Sequence, residues 1–116
     1  MKILLDENMP HDLRPMLMPR HEVYTVQYLK WSGMTNGKLL KRAADAGFEF
    51  LITVDGGIEY QQNAATLPVG VMVLHFPRND RKALMALVPE IMLTLETVLP
   101  RTVVHVPTTS TTAPST

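Results

Sequence analysis

The chain has 116 residues, of which 46% are apolar and 19% charged, so it can build one packed core and is not disordered throughout. Eleven Lys and Arg balance eleven Asp and Glu, which removes the overall basic charge of a typical nucleic-acid binder but leaves room for a local basic patch. The absence of cysteine excludes disulfides, thiolate metal sites and a cysteine nucleophile; with no apolar run long enough to span a membrane and no secretory leader, a cytoplasmic protein with no membrane partner is expected.

The first apolar run, Lys2-Ile3-Leu4-Leu5, predicts a buried strand ending at Asp6. A helix is expected over 9–18, with Leu13, Met16 and Leu17 at helical spacing, Pro10 in the first turn, Asn8 as cap and Pro15 shortening or kinking it. Residues 22–26 are β-branched and aromatic, hence a second strand, followed by a loop with Trp31, Gly33 and Gly37. Asn36 is placed as the cap of a second helix, with Leu39, Leu40, Ala43 and Ala44 on one face and Gly47 as its stop.

A third strand over 50–54 ends at Asp55, with Gly56 and Gly57 behind it. Residues 59–65 suit one or two helical turns, and 69–76 form a nearly all-apolar fourth strand. The stretch 80–99 carries Leu84, Val88, Ile91, Leu95 and Val98 on one stripe, with Pro89 expected to split it or to start a second helix. Residues 102–106 make the last strand. The domain is therefore 1–106, and the Thr-, Ser- and Pro-rich residues 107–116 read as a disordered tail.

The order β-α-β-α-β-(α)-β-α-β, with strands that are apolar throughout, predicts a three-layer α/β/α sandwich around a mostly parallel five-stranded sheet. Ligands of such sheets bind beyond the carboxyl ends of the strands. Two strands end in an acid there, Asp6 and Asp55, and as neighbours they can share a hard cation such as Mg²⁺ or Mn²⁺. Asn8, Asn36 and Glu59 fall just past strand ends or at helix starts, where they can add ligands or hold a metal-bound water. The chemistry that follows is metal-assisted phosphodiester hydrolysis. Asp after a strand also serves as a turn or cap residue, and spacing alone does not separate the two roles.

Other motifs point less far. Gly56-Gly57 lacks the context of a phosphate loop and reads as a turn. His11, His21, His75 and His105 show no metal-ligand spacing and read as scattered surface or strand-end residues. Arg78, Arg81 and Lys82 form a small basic knot that can contact phosphate, or simply begin a solvated helix. Trp31 and Tyr60 can stack a base or sit at the edge of the core. Met9, Met16, Met18, Met85 and Met92 read as core filler.

The opening Met-Lys-Ile-Leu-Leu-Asp-Glu-Asn-Met-Pro resembles the start of the small bacterial PIN-like proteins, relatives of VapC-type toxin ribonucleases and of the Mut7-C domain. The resemblance continues through His21-Glu22-Val23, Trp31-Ser32-Gly33, Asn36-Gly37-Lys38-Leu39-Leu40 and Leu51-Ile52-Thr53-Val54-Asp55. It implies a PIN-like Rossmannoid sandwich, a divalent-metal ribonuclease centre and a toxin role. The partners it implies are RNA and a cognate antitoxin protein; a homodimer is a further option.

Carried over by position, Asp6 matches the first metal-binding acid and Asp55 the acid after the third strand. The family often has Asp where this chain has Asn36, and a further acid where it has Gly57. The site thus loses up to two negative charges unless Glu7 or Glu59 compensates. Two readings follow: a metal-dependent toxin ribonuclease acting through Asp6 and Asp55, with Arg78 and Arg81 on the substrate, or a catalytically reduced PIN-like binding or regulatory module.

Overall fold

A computed structural model of the chain describes residues 1–18, 20–58, 66–77 and 80–107. Five strands, β1 (Lys2–Leu5), β2 (Glu22–Thr25), β3 (Phe50–Thr53), β4 (Gly70–Leu74) and β5 (Val103–Val106), form one sheet in the order β2-β1-β3-β4-β5. Every neighbouring pair is parallel, so the sheet is wholly rather than mostly parallel.

Strand side chains alternate between two apolar clusters, as the two-residue period of a strand requires. Ile3, Leu5, Phe50, Ile52, Met72 and Leu74 enter one cluster, together with Leu13 and Leu17 of helix α1 (Leu13–Leu17) and Leu84, Val88, Ile91 and Leu95 of helix α3 (Arg81–Thr97). Leu4, Leu51, Val71 and Val73 enter the other, with Leu39, Leu40 and Ala43 of helix α2 (Asn36–Asp45). The α/β fold thus has helices on both faces of the sheet, and the all-apolar central strands are buried on both sides.

Three helix expectations need correction. The first helix covers Leu13–Leu17 rather than 9–18, with Asp12 and not Asn8 at its cap position. Pro15 lacks an N–H and fits an α-helix at no cost only in the first turn, and a helix begun at Pro10 would carry that cost over a short length with few buried side chains to offset it. The second helix starts at Asn36 itself, and Thr35 is its N-cap residue. Gly47, at φ +88°, follows its end as expected.

The third correction concerns Pro89, which neither splits nor starts a helix: α3 runs unbroken through it. Pro89 lies on the exposed side, where water can take up the carbonyl it leaves unpaired. The four buried side chains on the opposite stripe, at about 1.5–3 kcal/mol each, outweigh a proline cost of about 3 kcal/mol. Asp80 caps this helix by accepting the Ala83 N–H at 3.0 Å.

Met9 is buried and Met85 and Met92 pack against the core, but Met16 and Met18 are exposed and do not fill it. The expected turns over 59–65, and the tail beyond Pro107, lie outside the described residues. No helix among the described residues is long and apolar enough to cross a membrane.

Candidate functional site

Because all five strands are parallel, their carboxyl ends share one rim. The chain leaves β1 for β2 on one side and then crosses to β3 on the other, which makes the β1/β3 boundary the topological switch point. Asp6 and Asp55 follow β1 and β3 and therefore arrive at that boundary from two sides. The Asp6 N–H donates to the Ile52 carbonyl at 3.0 Å, which extends the ladder onto the rim.

Leu4 and Leu51 face the α2 side, so by strand alternation Asp6 and Thr53 face it too. Thr53 is 0% exposed and joins the two acids. Its hydroxyl donates to Asp6 Oδ2 at 2.7 Å and accepts the Asp55 N–H at 3.0 Å. Asp6 Oδ1 accepts the Glu7 N–H at 2.8 Å. Asp55 Oδ1 accepts the Gly57 N–H at 2.9 Å, which closes the turn expected at Gly56-Gly57.

Glu7 is exposed on the same rim and ties down two loops. Its Oε1 accepts the Gly33 N–H at 3.1 Å, and its carbonyl accepts Gln27 Nε2 at 2.7 Å. Gly33 lies in the segment leading into α2, so this bond ties that segment to the rim, and Asn36 at the start of α2 is half-buried. Asn8 is exposed beside Glu7.

Glu59, Arg78 and Tyr60 lie outside the described residues. Arg81 is held by an exposed ion pair to Asp12 at 2.8 Å rather than facing the acids alone. Trp31 sits at the edge of the core, its ring 6.0 Å from Phe48 at 77°, with the Arg42 guanidinium 5.4 Å from its centroid.

Two carboxylates, with a second lone pair remaining on each oxygen, form an all-oxygen donor set that suits a hard ion retaining several waters. Among the described residues no group of three or more His, Asp or Glu is placed to hold one ion. Asp6 and Asp55 share the rim, with the Thr53 hydroxyl bonded to the carboxylate of the first and to the backbone N–H of the second.

Three features were missed in the sequence. Thr53 read as an ordinary strand residue; its signal was a hydroxyl one position before the end of an otherwise apolar run. A cleft of about 490 Å³ at the carboxyl end of β2 is lined by His11, Arg14, Tyr24, Thr25, Gln27 and Tyr28. It adjoins the acids through Gln27, and Tyr28 is 74% exposed there. Finally, His75 and His105 are not scattered: they meet at the ends of β4 and β5. Comparison of the chain with protein-family models, curated proteins and solved structures gives no match.

Proposed function

We propose that this chain is a divalent-metal-dependent ribonuclease acting on RNA phosphodiesters at the β1/β3 rim. The observation that carries this reading is that Asp6 and Asp55 end neighbouring strands at the switch point, with one buried hydroxyl bonded to the Asp6 carboxylate and to the Asp55 N–H. Asp6 and Asp55 are the residues that would hold Mg²⁺ or Mn²⁺, with water filling the remaining positions. When bound, such an ion neutralises phosphate charge and makes a coordinated water more acidic.

The remaining residues act on the substrate. Tyr28 offers an exposed ring on which a base can stack, and Tyr24 lies 6.2 Å from it, centroid to centroid. Arg14, whose Nε donates to the Val23 carbonyl at 2.8 Å, and His11 line the same cleft and would meet backbone phosphate. Thr53 holds the Asp6 carboxylate against the end of β3. The toxin role, with an antitoxin protein as partner, rests on the resemblance carried by residues 1–10 and 51–55.

A second reading, a catalytically reduced binding module, draws on a specific observation: Asp6 Oδ1 and Oδ2 and Asp55 Oδ1 each already accept a hydrogen bond from their own rim. Incubation with single-stranded RNA in Mg²⁺ or Mn²⁺ separates the two. The ribonuclease reading expects cleavage that is lost in Asp6→Asn and Asp55→Asn while both variants keep their circular dichroism spectra. Intact RNA with well-folded wild-type protein favours the binding module instead.

A further inference from the structure

His75 is the first residue after β4, and its N–H donates to the Val106 carbonyl at 2.8 Å, so the β4–β5 ladder continues to it. His105 is the third residue of β5, opposite Val73. The backbone positions of both residues are therefore fixed by pairing between adjacent strands. His75 Nε2 and His105 Nδ1 stand 2.7 Å apart, with ring centroids 5.0 Å apart and planes at 23°. That centroid distance is the span of two imidazoles meeting nitrogen to nitrogen, so the rings touch edge to edge, nearly coplanar, and do not stack face on face. The two ring nitrogens face each other within hydrogen-bonding distance.

We propose that His75 and His105 form a two-imidazole site for a borderline divalent ion, with Zn²⁺ as the probe. Imidazole nitrogen suits Zn²⁺, whereas Mg²⁺ and Mn²⁺ prefer oxygen, so this site and the acid pair select different ions. At Zn–N distances of about 2.0–2.1 Å and tetrahedral angles, the two nitrogens stand about 3.3 Å apart. The nitrogens must part by roughly half an ångström and each ring must turn by about 35° for both lone pairs to meet at the ion, and His75 is exposed and just past its strand. Water completes the coordination from the open side.

The site also has a defined place on the rim. Val71 and Val73 face the α2 side of the sheet and Val103 packs against that cluster, so His75 and His105 continue the same face as Asp6 and Thr53. The proposal stands independently of the ribonuclease reading.

The test is calorimetric titration of the untagged full chain with Zn²⁺ alone, paired with NMR of the histidine ring protons. We expect micromolar binding of one ion that shifts the His75 and His105 ring signals. The affinity falls at least about tenfold in His75→Gln and in His105→Gln and is retained in Asp6→Asn. Millimolar or no binding by the wild type overturns the proposal. So does a site that survives both histidine variants and disappears in Asp6→Asn.

Discussion

The Thr53 hydroxyl donates to Asp6 Oδ2 at 2.7 Å across the β1/β3 boundary, and the same oxygen accepts the Asp55 N–H. One buried side chain therefore links the carboxylate of Asp6 to the backbone of Asp55. Thr53→Val keeps the shape but removes the hydroxyl, leaving an acid and a backbone N–H short of a partner. The expected cost is about 1–3 kcal/mol in urea unfolding, with Thr53→Ser recovering most of it.

Stability is expected to fall on the acid side because of His21. This ring is 9% exposed, and neither nitrogen has a hydrogen-bond partner among the described residues. Burial, reinforced by the N-terminal ammonium and Arg20, holds its pKa below the ordinary 6.5. The unfolded chain then takes up the proton more readily than the folded one. The His21 contribution is thus complete above 6.5, declines as the pH falls from there through the lowered folded value, and levels off below it. In His21→Leu, unfolding compared at about pH 7.5 and about pH 5 should show a smaller acid loss than in the wild type.

Replacing Pro89 by Ala should stabilise the chain. The substitution restores a backbone donor within α3 at an exposed position and disturbs none of the four buried side chains. A gain of about 1–3 kcal/mol, read as a raised denaturation midpoint, is the expected outcome.

Gly70 lies opposite Phe50 in the β3–β4 register. A Cβ at this position would come within 2.3 Å of the Phe50 ring, which is 1% exposed and packed in the core. Gly70→Ala therefore forces the ring or the strand to shift, and should destabilise by about 1–3 kcal/mol in the same assay.

The strands were legible because sheets buried on both faces leave continuous apolar runs such as Phe50-Leu51-Ile52 and Val71-Met72-Val73-Leu74, and those runs end where the acids stand. The start of α1 was misread because Pro10 and Pro15 each suit a first turn, and only one can occupy it. Pro89 was misread because a local propensity was weighed without the burial on the opposite stripe. Thr53 was hidden by its strand-forming character, which says nothing about the partners of its hydroxyl. The His75–His105 contact depends on β4 and β5 being neighbours in a particular register, a relationship across 30 residues that no local pattern encodes.

The central claim, that Asp6 and Asp55 share one divalent ion, is tested most directly by titrating Mn²⁺ into the folded chain and following water-proton relaxation. The account predicts one bound ion per chain, with affinity weakened at least about tenfold in Asp6→Asn, in Asp55→Asn and in Thr53→Val. Equal affinity in the wild type and all three variants, or no Mn²⁺ binding at millimolar concentration, would contradict it.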